Sequence, residues 1–252
     1  MKVGVLGATG TAGRPVVAEL TARGHEVVSL GRRPARAAEH RQADVVSGAG
    51  LDTAFEGLDA VAECLNANST GKKARAVLVD GVARALAAAG EAGVGHAVSL
   101  SIVGCDRLPM AYYAVKTEQE ATVRAAPLET SILRATQFHD LIDAAGTATK
   151  RTGVLPCPRG SLQPIDPKDM AKALADQIER GPGGDCSVGG PEIVEIRELA
   201  RIWREARGSR RPPVSIPSIG GALKALAGGV LTDSSAPRGE ITWERRLTAT
   251  KR

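Results

Sequence analysis

The stretch Met1-Lys-Val-Gly-Val-Leu-Gly-Ala-Thr-Gly-Thr-Ala-Gly-Arg-Pro15 opens the chain and decides the fold. Its apolar residues predict a buried strand that ends at Gly7, and glycines follow at positions 10 and 13 before a helical pattern begins. Glycine permits a sharp turn out of a strand and lets backbone amides approach a pyrophosphate group. The next helix then directs its free N–H groups at the phosphates.

The sequence therefore predicts a nucleotide-binding turn. The predicted contacts are Gly7, Thr9, Gly10, Thr11, Ala12 and Gly13. The alternative is a glycine-rich connection without a ligand, because this glycine spacing alone is weak evidence. The position of the glycines, directly after a strand and before a helix, favours the nucleotide.

Two arginines follow the second predicted strand, Glu26 to Leu30. An NAD-specific unit carries an acidic residue near this point, where it holds the ribose 2′-hydroxyl group. Here Arg32 and Arg33 stand in its place, and a guanidinium group pairs well with a 2′-phosphate. We therefore expect NADP(H), with Arg32 as the first choice and Arg33 as the second. The alternative is a pair of surface arginines in a loop.

Two polar residues are further candidates for the nucleotide site. Asp44 lies in a short predicted third strand, residues 43–46, and Asn66 ends a predicted fourth strand, residues 59–66. Open α/β sheets bind ligands at the carboxyl ends of their strands. Asp44 is thus a candidate contact for the adenine amine and Asn66 for the ribose, although each is equally explained as a loop cap.

Strands alternate with helical segments along the first half of the chain. A short helix is predicted over residues 51–57, and a long alanine-rich helix over about residues 73–92. This alternation predicts right-handed crossovers and an α/β fold with a Rossmann-like, doubly wound parallel sheet.

A serine, a tyrosine and a lysine form a second group of candidate residues. Tyr112 and Lys116 lie one turn apart on a helix predicted from Pro109, and Ser99 lies thirteen residues before Tyr112, in the fifth predicted strand. A nearby ammonium group, with the charge of an oxidised nicotinamide, favours the phenolate and is expected to lower the tyrosine pKa. Tyr112 would then give a proton to a carbonyl oxygen that Ser99 holds. Ser101 is the fallback for Ser99, and the alternative is a tyrosine packed on the sheet with its lysine in solvent.

Composition sets limits on the class of protein. The chain has 252 residues, of which 43% are hydrophobic and 24% charged, as in ordinary globular domains. We expect one structural unit, with an NADP-binding core over residues 1–150 and a smaller C-terminal substrate lobe over residues 151–252. The isolated cysteines indicate reduced thiols and no metal site. The lack of a long apolar run indicates no membrane partner, and the expected location is cytoplasmic.

The net charge of +5 raises the question of a nucleic-acid partner. Arginines are densest between Arg197 and Arg211, where a solvated helix face is the expected explanation. The chain has only two Phe, two Tyr and two Trp residues, which leaves few platforms for base stacking. We therefore expect no nucleic-acid partner.

Four sequence blocks together resemble the atypical, NmrA-like branch of the short-chain dehydrogenase/reductase superfamily. They are residues 7–13, Ser99-Leu-Ser101-Ile-Val-Gly104, Tyr112-Tyr-Ala-Val-Lys116 and Leu133-Arg-Ala-Thr-Gln-Phe138. The likeness covers most of the chain, although the glycine pattern is not the GxxxGxG of the better-known enzymes. It implies a Rossmann-like fold, NADP(H) binding and reduction of quinones, ketones or related carbonyl compounds.

The resemblance also indicates substrate contacts. After the sixth predicted strand, Gln137 and Phe138 are candidates, together with Met110 in the loop before the tyrosine helix. Core packing explains Phe138 equally well. His139 is expected to be a surface or capped histidine rather than a base.

Three functions fit these observations. The leading hypothesis is an NADPH-dependent oxidoreductase that acts on a small molecule, with Tyr112 as proton donor, Lys116 tuning it and holding the ribose, and a serine orienting the substrate. The second is a non-catalytic NADP(H)-sensing regulator, since the resembling branch includes such proteins. The third is an isomerase or epimerase that retains its cofactor. A monomer or a homodimer is expected by analogy alone.

Overall fold

The structure of the protein is a computed structural model that describes residues 1–34, 39–67 and 69–249. Its strands are β1 (Lys2–Leu6), β2 (Glu26–Gly31), β3 (Glu39–Gln42), β4 (Ala60–Glu63), β5 (His96–Ile102), β6 (Thr130–Ala135), β7 (Leu155–Pro158), β8 (Ser161–Leu162), β9 (Cys186–Val188), β10 (Val194–Glu195) and β11 (Pro213–Ile216). Its α-helices are α1 (Gly13–Ala22), α2 (Leu51–Ala54), α3 (Lys72–Leu78), α4 (Asp80–Glu91), α5 (Ala111–Arg124), α6 (His139–Ala148), α7 (Pro167–Arg180), α8 (Ile196–Ala206), α9 (Gly221–Ala227) and α10 (Trp243–Ala249).

A seven-stranded sheet organises the described residues, with the strand order β3-β2-β1-β4-β5-β6-β9. Strand β1 pairs in parallel with β2 on one side and with β4 on the other. The chain therefore winds outward in one direction through β2 and β3, and in the other direction from β4 onward. The strand order reverses between β1 and β4, which makes their carboxyl ends the topological switch point. The Rossmann-like doubly wound sheet predicted from the sequence is confirmed.

Aliphatic side chains build the core around β1. Val3, Val5 and Leu6 are buried in the strand, and helix α1 covers it with Val16 and Leu20. Gly4 stands between Val3 and Val5 in the strand. A Cβ atom on Gly4 would lie 2.6 Å from the Leu58 side chain, so a larger residue would have to displace that leucine. Each fully buried aliphatic side chain contributes about 1.5–3 kcal/mol, so this layer stabilises the packing of β1 with α1.

The described chain divides into two compact units. The first contains Met1–Ser101, Ala111–Arg134 and Met170–Cys186, and the second contains Ile102–Met110, Ala135–Asp169 and Ser187–Arg252. This interleaved division differs from the contiguous division at residue 150 that the sequence suggested. In the second unit, β7 pairs with β11 and β8 with β10. A small core is formed there by Leu155, Leu199, Trp203, Trp243 and Leu247.

Two elements depart from their predicted positions. The third strand lies at Glu39–Gln42 rather than at residues 43–46, because the Asp44 carboxylate accepts the N–H of Val46 at 3.0 Å and forms a turn there. The predicted long alanine-rich helix is two helices, broken at Val79, whose φ is −109° and ψ is −69°. The break lets Gly81 approach Val45, since a Cβ atom on Gly81 would lie 2.8 Å from a methyl group of that side chain.

Residues 1–34, 39–67 and 69–249 contain neither a membrane-spanning helix nor a cluster of metal-ligating side chains. There, no helix is long and apolar enough to cross a bilayer. Across the same ranges, no group of three or more His, Cys, Asp or Glu side chains is arranged to hold a metal ion. The four cysteines, all in the described part of the chain, form no disulfide, as their spacing predicted.

Candidate functional site

The glycine turn after β1 has the geometry of a phosphate cradle. Gly7 has a φ of +83°, and the N–H of Gly10 donates to the Gly7 carbonyl oxygen at 2.9 Å. A Cβ atom on Gly13 would lie 2.2 Å from that same oxygen, so the turn excludes a side chain there. Among the described residues no side chain caps helix α1 at Ala12. The N–H of Arg14 donates to the Gly10 carbonyl oxygen at 3.1 Å and Pro15 has no N–H, so within the first turn of the helix the Gly13 N–H is the donor that a ligand could use. These residues fit a dinucleotide diphosphate.

The two arginines predicted to select the cofactor follow β2. Arg32 and Arg33 are both exposed. Asp44 follows the neighbouring strand β3, and its pKa is lowered, chiefly by the N–H of Val46, with a contribution from the charge of Arg32. Arg32 and Asp44 are therefore close enough to interact at the carboxyl ends of adjacent strands. The turn-capping role of Asp44 is observed, while its contact with adenine stays a prediction.

Asn66 and Tyr112 meet beside the glycine turn. Gly7 approaches the end of β4 so closely that a Cβ atom on it would lie 2.9 Å from the Cys64 carbonyl oxygen. Asn66 lies two residues beyond Cys64, and its Oδ1 accepts a hydrogen bond of 2.7 Å from the Tyr112 hydroxyl group. The phenol of Tyr112 is thus held at the switch point between β1 and β4.

The acidity of Tyr112 differs from the expectation. Burial raises its pKa to about 12, and the neighbouring Tyr113 and Glu63 act in the same direction. The expectation that Lys116 lowers the Tyr112 pKa is wrong for the protein without a bound cofactor. The reason is that the Lys116 ammonium group is buried and donates to the Leu100 carbonyl oxygen at 2.8 Å and to Gln119 Oε1 at 2.5 Å.

Glu63 is the polar residue at the site that the sequence analysis missed. It lies in β4, is 0% exposed and pairs in register with Ser99 of β5. Its Oε2 accepts hydrogen bonds from the Ser99 hydroxyl group and, at 2.8 Å, from Gln119 Nε2. Its Oε1 accepts the N–H of Leu65 at 2.7 Å. A single carboxylate within the apolar run of a buried strand was the available signal.

The Glu63 carboxyl group is buried among compensating partners. Burial raises its pKa, whereas the charge of Lys116 and the donors Ser99, Leu65 and Gln119 oppose that rise. A buried carboxylate is tolerated when opposite charge and hydrogen bonds offset its lost solvation. Here Lys116 supplies the opposite charge, and Ser99 and Gln119 supply hydrogen bonds.

The structure places both candidate serines inside the protein. Ser99 is 2% exposed and its hydroxyl group is engaged by Glu63, while Ser101 is 4% exposed and lies two residues nearer the end of β5. Their catalytic roles stay predictions.

The predicted substrate contacts lie in the second unit. Met110 is half exposed, and Phe138 is half-buried in a short bridge with Ile165. Gln137 is buried, and neither polar atom of its side chain has a hydrogen-bond partner within the residues described. A buried amide group without hydrogen bonds lowers the stability of the fold. A ligand that bonded to it would remove that cost, so Gln137 stays a candidate for ligand contact.

His139 is not at the surface, contrary to expectation. It is fully buried, its backbone N–H donates to the Ile165 carbonyl oxygen at 3.0 Å, and its ring packs against Trp243 with a centroid distance of 5.4 Å. Its Nδ1 lies 3.6 Å from Asp166 Oδ2. Asp166 caps helix α7, with Oδ1 accepting the N–H of Lys168 at 2.9 Å.

The arginines of helix α8 and the segment after it are partly neutralised by contacts within their own unit. Arg201 forms ion pairs with Glu198 and Glu205, both at 2.6 Å. Arg207 pairs with Asp143 at 2.7 Å. This segment therefore presents charges of both signs, as expected of a solvated helix face.

Comparison with known proteins gives matches of several kinds. Residues 7–180 match a family model described as NAD(P)H-binding. An uncharacterised protein of Mycobacterium tuberculosis is 36% identical over 105 residues, which are 40% of this chain and only 12% of that relative. A (4-alkanoyl-5-oxo-2,5-dihydrofuran-3-yl)methyl phosphate reductase of Streptomyces griseus is 30% identical over 207 residues, covering 77% of this chain and 70% of the relative.

Solved structures share the fold at low sequence identity. An NADPH-dependent quinone oxidoreductase from Escherichia coli, solved in complex with NADPH, superposes with a TM-score of 0.81 at 20% identity, covering 99% of this chain and 100% of that one. Other structures of the same fold include nucleotide-sugar epimerases. Since the family model spans most of the chain, this protein belongs to the NAD(P)H-binding family.

Proposed function

We propose that the protein is an NADPH-dependent reductase of a small carbonyl compound or quinone, with Tyr112 as the proton donor. The observation that carries the proposal is the hydrogen bond between Tyr112 and Asn66 at the switch point, beside the glycine turn. A ligand bound at the carboxyl ends of β1 and β4 would meet both features.

The residues that would hold NADPH belong to the first unit. The glycine turn and the start of α1 would take the diphosphate, and Arg32, supported by Arg33, would take the 2′-phosphate. Asp44 would contact the adenine amine, and Asn66 and Lys116 the ribose. When bound, the cofactor supplies the hydride.

The raised pKa of Tyr112 suits proton donation. A phenol whose pKa is about 12 is fully protonated at neutral pH. It can still protonate the alkoxide that forms when a ketone accepts a hydride, because an alkoxide is a stronger base than a phenolate. The anion that forms from a quinone is itself a phenolate, so a quinone needs this proton donor less. The reverse reaction and an epimerase's first oxidation both need the phenolate as a base, which burial and the Glu63 charge disfavour. The arrangement therefore favours reduction.

The serine that orients the substrate is Ser101 in this proposal. Ser101 lies two residues nearer than Ser99 to the carboxyl end of β5, the edge where open α/β sheets bind ligands. Met110, Gln137 and Phe138 remain predicted substrate contacts.

The relatives support the substrate class. The Streptomyces griseus relative is named as the reductase of an alkanoyl-substituted oxo-dihydrofuran phosphate, and the Escherichia coli structure is named as a quinone oxidoreductase. Both names describe reduction of conjugated carbonyl compounds or quinones, which accept a hydride and then a proton. A compound of that class is the expected substrate.

A Tyr112→Phe variant tests the proposal, with Tyr113→Phe as the matched control. NADPH oxidation is followed with menadione and with a set of ketones and unsaturated lactones, and the compound that the wild type reduces fastest is used thereafter. We expect Tyr112→Phe to lower kcat by about 10²–10⁴-fold while NADPH binding is retained, because general acid catalysis is worth that much. The Tyr113→Phe variant should keep its rate. Equal rates for the two variants would remove Tyr112 from the mechanism.

A further inference from the structure

Glu63 connects strand β4 with strand β5 and with helix α5, the helix that carries Tyr112. It lies on β4, its carboxylate binds Ser99 of β5, and it binds Gln119 of α5. Nothing in the proposed reaction requires a carboxylate at this depth. An apolar residue of similar volume would avoid the cost of burying a charge, so the presence of Glu63 calls for a reason.

The first link runs through the end of β4. Glu63 Oε1 accepts the N–H of Leu65 at 2.7 Å, and Leu65 directly precedes Asn66. This bond bends the chain back toward the Glu63 side chain immediately after the strand. It holds the backbone directly before Asn66, whose Oδ1 accepts the N–H of Ala67 at 2.8 Å and the Tyr112 hydroxyl group at 2.7 Å.

The second link runs through helix α5. The Gln119 amide donates to Glu63 through Nε2 at 2.8 Å and accepts the Lys116 ammonium group through Oε1 at 2.5 Å. Lys116 lies one turn after Tyr112 on the same helix. The buried carboxylate therefore holds the lysine in place through one amide, and with it the face of α5 that carries Tyr112.

We propose that Glu63 is a positioning residue for the reaction, which fixes Asn66 on one side and Lys116 on the other so that the Tyr112 hydroxyl group is held at the switch point. A role for Glu63 in the reaction rests on the proposed function, in which Tyr112 is the proton donor. The geometric claim concerns the first unit alone and does not depend on a substrate.

The geometry has a consequence that can be measured without cofactor or substrate. Tyr112 and Tyr113 are the only tyrosines in the sequence, so a Tyr113→Phe background leaves one phenol to titrate. If Glu63 stops holding Asn66 and Lys116, Tyr112 gains access to water and loses a nearby negative charge. Both changes lower its pKa toward the ordinary value of about 10.

The experiment is an ultraviolet titration of tyrosinate in the Tyr113→Phe protein, with and without Glu63→Gln, while circular dichroism follows the fold. We expect Glu63→Gln to lower the Tyr112 midpoint by about one pH unit or more. Glu63→Asp should give an intermediate midpoint, because it keeps the charge but shortens the side chain. The matched control is Glu120→Gln, another buried glutamate of the first unit, which binds Arg134 Nε at 2.8 Å. Its midpoint should stay at the wild-type value even if stability falls.

A second variant covers the case in which Glu63→Gln fails to fold. Gln119→Met changes no charge and removes the link between Glu63 and Lys116, so we expect a midpoint shift in the same direction. An unchanged midpoint in the folded Glu63 and Gln119 variants, or an equal shift in Glu120→Gln, would overturn the inference. Failure of the reductase proposal is seen separately, as an unaltered rate in Tyr112→Phe.

Discussion

Glu63 and Ser99 are register partners on two neighbouring parallel strands, and the Ser99 hydroxyl group donates its hydrogen to the Glu63 carboxylate. A hydroxyl group that serves a buried charge is not available to a substrate oxygen. Ser99→Ala should therefore lower the free energy of unfolding by about 1–3 kcal/mol, the usual cost of a lost hydrogen bond to a buried charged group. Its kcat should stay within about threefold of the wild type, because the protein's stability margin exceeds that loss.

Urea denaturation and steady-state rates with NADPH measure these two effects. Ser131→Ala is the matched control, since Ser131 is also buried in a strand and binds His96 at 3.0 Å. It should lose stability without changing the rate. A Ser99→Ala protein of normal stability and greatly reduced kcat would instead make Ser99 the substrate-orienting serine.

The raised pKa of Tyr112 leads to a prediction about pH. The profile of kcat/KM reports the pKa values of the free enzyme, and a proton donor is lost when pH rises through its pKa. With the Tyr112 pKa at about 12, reduction should show no loss of the donor between about pH 6 and about pH 9. The reverse oxidation needs the phenolate and should rise about tenfold per pH unit over that range.

Initial rates in both directions, with a constant-ionic-strength buffer series, check this. The Tyr112→Phe variant supplies the baseline for steps that do not involve the phenol. A fall in the reduction rate centred near pH 7–8, absent from Tyr112→Phe, would show that the bound complex lowers the tyrosine pKa strongly, as the sequence alone had suggested.

Local patterns account for what the sequence predicted correctly. The sharp turn at the glycines between β1 and α1 and the placement of Tyr112 and Lys116 one turn apart on one helix each depend on residues within one turn or one connection. Their physical causes, backbone freedom and helical spacing, can be recognised from the spacing of residue types.

Long-range pairing explains what the sequence did not predict. The partner of Glu63 is set by the register of β4 against β5, and only that register brings Ser99 opposite it. The buried position of His139 likewise depends on Trp243, more than a hundred residues away. The shift of the third strand came from the Asp44 side chain, which competes with strand pairing for the Val46 N–H.

Cofactor selection gives a third prediction. Arg32 contributes its charge to the lowered pKa of Asp44, at the ends of the adjacent strands β2 and β3. Arg32→Ala should weaken NADPH binding by about 10–100-fold, the usual effect of losing a charged hydrogen bond, and leave NADH binding unchanged. Arg33→Ala is the adjacent control and should have a smaller effect. Fluorescence titrations with both cofactors measure this, and an equal loss for NADPH and NADH would contradict a 2′-phosphate contact.

The close packing of the glycine turn gives the last prediction. A Cβ atom on Gly13 would lie 2.2 Å from the Gly7 carbonyl oxygen and 2.7 Å from the Ala8 Cα atom, both backbone atoms that move only if the turn opens. Gly13→Ala should therefore cost about 1–3 kcal/mol of stability and at least about tenfold in NADPH affinity. Gly95→Ala is the control, because a Cβ atom there would lie 3.5 Å from the Asp59 carbonyl oxygen, an ordinary contact. It should stay within about 0.5 kcal/mol of the wild type and bind NADPH normally. A Gly13→Ala protein that binds NADPH as tightly as the wild type would show that the diphosphate does not lie in this turn.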